Sequence, residues 1–326
     1  MIHCAIIGAG QIGSRHLQAL CKLESPTRVA LVDPSNESLQ TASDRYQEVV
    51  SSGKKNIELY CHHSLDTLSD TLDIVIIATN SNVREKIVRD VIQKRIAKNI
   101  ILEKVLFQKK DQYITIDALL QESSIPTWVS CWMRTTDLFQ KVKSALNLNN
   151  SIKIKIYGSQ WGMGTNSIHF MDLFSFFSGC VDFKFTGVYL ENEVLDAKRY
   201  GFKEFMGRLE GMNSRGDSLD LVCKDEQSGP ITIEIQNGPE KFTLITDFVN
   251  RFDFKSSNEL SNRLGNVSLP YQSEMTHLWV NDILTKGSCS LPTYANSISL
   301  HLELIKVFNE HLQKLTGKEI DTCPIT

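Results

Sequence analysis

Over the first 125 or so residues, short continuous apolar runs alternate with stretches whose apolar positions recur at helical spacing. That is the rhythm of βαβ units in a parallel sheet. The runs at 3–7, 28–32, 74–78, 100–102 and 127–129 are rich in β-branched residues and unbroken by polar alternation, as expected of strands covered by helices on both faces. Helices are predicted between them at 12–23, 37–51, 81–94 and 110–121. Near Ser151 the period changes to two: Ile152, Ile154 and Ile156 alternate with lysines, and Ile231, Ile233 and Ile235 alternate with Thr and Glu. This describes a sheet with one wet face. Further strand patterns at 182–191, 205–212, 218–223 and 241–254, broken by turn residues at 213–217 and 238–239, make the sheet mainly antiparallel and open. Two helices, 273–285 and 292–315, close the chain, the second stopped by Gly317.

A chain of 326 residues, 41% hydrophobic, exceeds one ordinary core. Two domains are predicted, an α/β domain at 1–125 and an α+β domain at 126–326, with the closing helix free to pack back on the first. Thirty-five basic against 38 acidic residues leave a net charge of −3. There is no basic footprint for nucleic acid or an anionic membrane, so neither is an expected partner. The first residues lack a basic leader and reach glycines before a signal core could form, and no apolar run approaches the ~20 residues of a membrane span. Eight cysteines are scattered without a C-x-x-C pair. They read as reduced thiols of a cytoplasmic protein rather than disulfide or metal ligands.

Glycine is scarce enough, at 18 residues, to make the cluster Gly8, Gly10 and Gly13 a local choice. It follows the apolar run Cys4-Ala5-Ile6-Ile7 and opens an amphipathic segment, the strand–turn–helix context that a dinucleotide fingerprint requires. Gly8 permits the tight turn, Gly10 lets backbone approach a pyrophosphate, and Gly13 lets helix pack on strand. The N–H groups of Gln11, Ile12 and Gly13 then face the phosphates. Twenty residues past Gly13, Asp33 ends a strand where it can accept the ribose hydroxyls of an adenosine. A 2′-phosphate would meet this carboxylate, so the cofactor is read as NAD. NADP is not excluded, because Arg45 could reach the same pocket.

In a parallel sheet, chemistry gathers at the carboxyl edge of the strands. Gly8, the pair Thr79-Asn80 and the pair Glu103-Lys104 each follow a predicted strand and converge on one crevice. With Asp33-Pro34, Ala78-Thr79-Asn80 and the later His169-x-x-Asp172, they give nearly the whole chain a resemblance to the Gfo/Idh/MocA family of NAD(P)-dependent oxidoreductases. The resemblance implies a doubly wound Rossmann domain and a mainly antiparallel sheet domain that forms a homodimer or homotetramer interface. It also implies a small polyol or sugar-like substrate. The family's Glu-Lys-Pro motif falls on Glu103, Lys104 and Val105. Glu103 would hold the nicotinamide ribose, and Lys104 would bind the substrate hydroxyl and assist proton transfer. Valine replaces the proline that often follows a cis peptide in the family, and a non-proline cis bond costs about 3 kcal/mol.

The segment from Trp161 to Phe177 is so apolar that a helix there is buried, and the His169 and Asp172 within it need partners. At i and i+3 they share a face, so Asp172 could orient an imidazole that meets a substrate hydroxyl; a self-satisfied core pair is the alternative. The family's pattern here, Asp-x-x-x-His-x-x-Asp, resembles Thr165 to Asp172, with the first acid replaced by Thr165. Threonine can hydrogen-bond a hydroxyl but is no base at neutral pH. Arg134 could bind an anionic substrate group or a protein carboxylate. Trp132, Trp161 and Asn166 either line a sugar pocket or pack.

The expected reaction is hydride transfer between nicotinamide and a hydroxyl or carbonyl carbon of a sugar, cyclitol or sugar derivative. Lys104 and His169 handle the proton, Asp172 orients, and Thr165 anchors a hydroxyl. One alternative is a non-catalytic NAD(P)-binding sensor or partner subunit, motivated by Thr165 and Val105. A second is an imine or enone reductase on the same fold.

Overall fold

The computed structural model describes residues 1–51, 53, 57–68, 71–226, 229–246, 252–257 and 269–326. The chain divides into two compact units, and the division is not a single cut. Residues 1–107, 111–130 and 270–294 form the first, and 108–110, 131–269 and 295–326 form the second.

The first unit holds β1 (Ile2–Ile7), α1 (Gln11–Leu20), β2 (Thr27–Val32), α2 (Asn36–Ser51), β3 (Ile57–His62), β4 (Ile74–Ile77), α3 (Ser81–Gln93), β5 (Ile100–Leu102), α4 (Lys110–Ser123) and β6 (Thr127–Val129). The six strands are all parallel, in the order β3-β2-β1-β4-β5-β6. That is the doubly wound order with its reversal between β1 and β4. The runs without alternation are strands buried on both faces: every residue of β4 and β5 is buried. β3 had no such signature. Only Ile57 of its six residues is buried, because it is the sheet's edge and half its side chains face solvent. β6 lies beyond residue 125 and pairs with β5, so this sheet extends past the expected domain boundary.

The second unit contains α5 (Asp137–Ala145), β7 (Ile152–Ser159), α6 (Met163–Ser178), β8 (Lys184–Leu190), the small hairpin β9 (Leu195–Asp196) and β10 (Lys203–Glu204), then β11 (Gly207–Met212), β12 (Ser218–Lys224), β13 (Ile231–Asn237), β14 (Glu240–Thr246) and β15 (Phe252–Ser256). Seven strands form one sheet in the order β15-β14-β13-β7-β12-β11-β8, antiparallel except where β7 meets β12. The isoleucines of β7 are buried and its lysines exposed, as the period of two requires. The single strand expected at 241–254 is two, β14 and β15, paired antiparallel; the stretch 247–251 lies outside the described residues.

Two closing helices follow, α7 (Thr276–Lys286) and α8 (Tyr294–Thr316). It is α7, within 270–294, that rejoins the first unit, whereas α8 from Ala295 onward belongs to the second. The helix expected to pack back was the last one. Among the described residues, no helix is long and apolar enough to cross a membrane.

Candidate active site

In the first unit, the turn after β1 is built by three glycines with three different tasks. Gly8 has φ +98°, and a Cβ on it would lie 2.9 Å from the backbone of Ala78 and Thr79 at the end of β4. A Cβ on Gly13 would sit 1.8 Å from the Gly8 carbonyl oxygen, so only glycine lets α1 pack onto the turn. At Gly10 a Cβ would meet nothing within 4 Å. That open space lies at the start of α1, where no side chain caps the free N–H groups. Uncapped donors beside clear space fit a pyrophosphate, and no steric need within the protein accounts for glycine at this position.

Asp33 stands at the end of β2, its carboxylate accepting the Ala9 N–H at 2.8 Å and the Ser35 N–H at 2.9 Å. It is thereby fixed against the glycine turn, with lone pairs left for a ribose. Arg45 of α2 reaches α1 instead, donating to Ser14 Oγ at 2.5 Å and Gln11 Oε1 at 2.9 Å. Its positive charge thus lies beside the first turn of the helix.

Thr79 and Asn80 follow β4, and Asn80 begins α3. The Thr79 hydroxyl is buried without a hydrogen-bond partner among the described residues. Glu103 and Lys104 follow β5, the next strand of the sheet. The Glu103 carboxylate, expected at a ribose, turns inward: Oε1 faces His16 Nε2 at 3.1 Å, and Oε2 accepts the Lys104 N–H at 3.3 Å. Burial pushes this carboxyl up, but the hydrogen bond and charge of His16, the Ser130 hydroxyl and Lys104 outweigh it and hold it at about 2. His16 is fully buried on α1, and its Nδ1 lies 2.8 Å from the Thr276 hydroxyl of α7. A hydroxyl can donate or accept, so the ring keeps a partner in either protonation state. The Lys104–Val105 peptide is cis. Arg84 of α3, 1% exposed, donates to the carbonyls of Val105, Leu106 and Thr79, tying the segment after β5 to the end of β4.

His16 and Arg84 were not predicted as site residues. Their signal was present: each falls on the buried stripe of its helix, where a polar side chain needs an internal partner.

In the second unit, α6 opens at Gly162 in a left-handed conformation, φ +76°, and is buried along nearly its whole length. His169 is 7% exposed, its ring edge-on to Trp132 with centroids 6.0 Å apart. The expectation that Asp172 orients His169 is corrected here. Asp172 Oδ2 accepts from Arg134 Nε at 2.8 Å, and Arg134 Nη2 donates to the Asp172 carbonyl at 3.0 Å. Arg134 is therefore engaged by a protein carboxylate and stacks on Phe176, 5.1 Å from its centroid, rather than standing ready for a substrate anion. Burial raises the Asp172 carboxyl to about 7 despite the Arg134 charge and hydrogen bond.

Trp161 is also a packing residue. It is 6% exposed, donates Nε1–H to the Val222 carbonyl at 2.9 Å, and meets Phe170 edge-to-face at 5.3 Å. Asn166 donates its side-chain amide to the Trp161 carbonyl at 2.7 Å. Thr165 has a partner the sequence did not suggest: its hydroxyl donates to Glu204 of β10.

A doubly wound parallel sheet, an open glycine turn at an uncapped helix start and an acid at the end of β2 define a dinucleotide-binding protein of the oxidoreductase type. Residues 2–129 match the GFO_IDH_MocA family, described as an oxidoreductase family with an NAD-binding Rossmann fold. The N-terminal domain is thus similar to this family's NAD-binding domain, and NAD(P) is the cofactor that the motifs implied.

Solved structures extend the likeness of fold to the whole chain. An oxidoreductase from Agrobacterium radiobacter in complex with NAD+, L-tartaric acid and magnesium is 14% identical, with a TM-score of 0.67 covering 98% of each chain. The super-repressor mutant of Gal80p from Saccharomyces cerevisiae is 15% identical, with a TM-score of 0.69 over 96% of each. The UDP-N-acetylglucosamine 3-dehydrogenase GnnA from Acidithiobacillus ferrooxidans is 12% identical, with a TM-score of 0.64 over 94% of this chain and 97% of that one. No curated protein sequence matches the chain.

Proposed function

We propose that this NAD(P)-dependent oxidoreductase transfers a hydride between nicotinamide and a hydroxyl-bearing or carbonyl carbon of a sugar, cyclitol or sugar derivative. The observation that carries the reading is the placing of Gly8, Thr79 and Lys104 after β1, β4 and β5, three neighbouring strands of one parallel sheet. A lysine at that edge is suited to the oxygen of a reacting carbinol. The bound nicotinamide supplies or accepts the hydride. The first-turn N–H groups of α1 hold its phosphates, and Asp33 accepts from the adenosine ribose. The Glu103 carboxylate holds Lys104 in place through the Lys104 backbone N–H; in reduction the Lys104 ammonium gives a proton to the substrate carbonyl oxygen, and in oxidation the neutral amine takes the proton of the substrate hydroxyl. His169 is assigned the second proton-handling role, and Thr165 anchors a neighbouring hydroxyl.

The test is absorbance at 340 nm with NAD+ or NADP+ and a panel of myo-inositol, D-glucose, UDP-N-acetylglucosamine and L-tartrate. Turnover by the wild type, lost in Lys104→Met while NADH still quenches protein fluorescence, supports the assignment. Full turnover by Lys104→Met overturns it. A sensor is the second reading, favoured by Thr165 where a stronger base was expected; NADH binding with no turnover on any substrate of the panel selects it. The charged open face of the second sheet, with Arg208 paired to Asp220 at 2.8 Å, is proposed to meet a second copy. Light scattering that finds only monomers at tens of micromolar would remove that proposal.

A further inference from the structure

We infer that Arg45 is a positioning residue that turns the Gln11 side-chain amide outward, as a hydrogen-bond donor to the adenosine-side phosphate of the cofactor. The inference rests on the NAD(P) site of the first unit and not on the substrate proposed for it, and all its residues belong to that unit.

Gln11 is the first residue of α1, directly after Gly10, and it is exposed. Arg45 reaches it from α2, a helix anchored by the buried Leu39, Ala42 and Tyr46. The guanidinium makes two contacts on α1: Nη1 donates to the Ser14 hydroxyl at 2.5 Å, and Nη2 donates to Gln11 Oε1 at 2.9 Å. Ser14 is fully buried and gives its own proton to the Gln11 carbonyl at 3.0 Å. The backbone of Arg45 is held as well. Gln18 Nε2 of α1 donates to the Arg45 carbonyl at 3.3 Å, and Arg15 Nη1 donates to Gln18 Oε1 at 2.7 Å.

The consequence follows from hydrogen-bond direction. A guanidinium has donors only, so it faces an amide through the amide oxygen. Gln11 Oε1 is therefore committed to Arg45, and Nε2, which has no hydrogen-bond partner among the described residues, is the group left to point outward. It carries N–H donors and no acceptor, the complement of a phosphate oxygen. Two observations put a phosphate within its reach. The N–H groups that open α1 are uncapped, and a Cβ at Gly10 would meet nothing within 4 Å. In addition, α2 follows β2, whose end carries Asp33, and Asp33 accepts the Ala9 N–H of the same glycine turn at 2.8 Å. A side chain drawn from α1 toward α2 thus lies on the Asp33 side of the turn, the side of the adenosine ribose. The phosphate next to that ribose is the one the amide meets. In the glycine fingerprint Gln11 is an unspecified position; a partner 34 residues away gives its amide a direction.

The test is displacement of NADH, followed by its fluorescence, by adenosine, 5′-AMP and ADP-ribose. The ratio of AMP affinity to adenosine affinity isolates the phosphate, and adenosine affinity reports that each variant is folded. Gln11→Met keeps side-chain length and helical propensity. Its ratio is expected to fall about 10-fold, the scale of one hydrogen bond to a charged group, and ADP-ribose to weaken equally. Arg45→Met lowers the ratio about 5-fold, because the amide is no longer pre-organised. Arg45→Lys, again a donor only, recovers it to within about 2-fold of wild type. The double variant falls no lower than Gln11→Met, because Arg45 acts through the amide. Gln11→Met alters one exposed side chain, so the test stands even if Arg45→Met fails to fold. A ratio within about 2-fold of wild type in Gln11→Met overturns the inference. So does an additive double variant, in which Arg45 acts on the phosphate by its charge alone. The readout uses no sugar, so a failure of the proposed reaction leaves the inference standing. Wild-type protein that binds AMP no more tightly than adenosine overturns the inference while the proposed reaction stands.

Discussion

Replacing His16 by leucine would remove the principal partner of a buried charge and leave the rest of its surroundings in place. Glu103 is 7% exposed, and its carboxyl is held at about 2 against an ordinary 4.5. Each pKa unit is worth about 1.4 kcal/mol, so ionised Glu103 contributes about 3 kcal/mol at neutral pH. Burial opposes this value, and His16 is the largest influence favouring it. Without the imidazole, the Ser130 hydroxyl and Lys104 remain, and desolvation prevails. The expected loss is about 2–4 kcal/mol at pH 7, in the range for breaking a buried charge pair. Because the wild-type carboxyl is depressed, its contribution is present above pH 4.5 and fades as pH falls toward 2. In His16→Leu the carboxyl rises above its ordinary value instead, so the variant's deficit is largest at neutral pH, begins to narrow as pH falls through that raised value, and narrows further below about pH 4.5 as the wild type loses its own contribution. Urea denaturation of both proteins at steps from pH 4 to pH 8 measures this. Adding Glu103→Gln to His16→Leu removes the unpaired charge and is expected to restore most of the loss. A deficit under about 1 kcal/mol at pH 7, or one that does not vary with pH, would refute the reasoning.

Three other outcomes separate folding from binding. Gly10→Ala places a methyl in space that no protein atom occupies, so its melting temperature should stay within about 2 °C of wild type while NADH affinity, read by fluorescence, falls about 10-fold or more. Gly13→Ala drives a methyl into the Gly8 carbonyl and should cost about 3 kcal/mol or more, seen as an early unfolding transition. Asp172 titrates in the opposite sense to Glu103: raised to about 7, it stabilises the folded chain at acid pH and loses that contribution as pH climbs from about 4 to 7. Asp172→Asn should therefore gain about 4 kcal/mol relative to wild type across that window, and a pH-independent difference in denaturation midpoints would contradict it.

The parallel sheet was legible because its strands are buried on both faces and must be apolar without a break. β3 and α5 escaped for the opposite reason: β3 is an edge strand with one buried residue of six, and α5 is a short helix of nine residues at the start of the second unit. The nucleotide half of the site was readable because backbone performs its work, and only glycine allows that backbone. Side-chain partners were less readable. His169 and Asp172 lie close enough along one helix to suggest a pair, but Arg134, 38 residues away, takes the carboxylate.

The sequence by itself determined the class of fold, the glycine turn, the acid at Asp33 and the lysine at the end of β5. Each is a local consequence of spacing, burial and steric permission. Tertiary structure alone decided which donor three of the carboxylates received: His16 for the buried Glu103, Arg134 for the buried Asp172, and the first turn of α6 for the half-buried Glu204. Two of those three bonds join residues more than 38 positions apart, and the third spans 38. A buried carboxylate must be satisfied, but its charge carries no information about sequence distance. Only the packing of helices and strands selects the donor that reaches it.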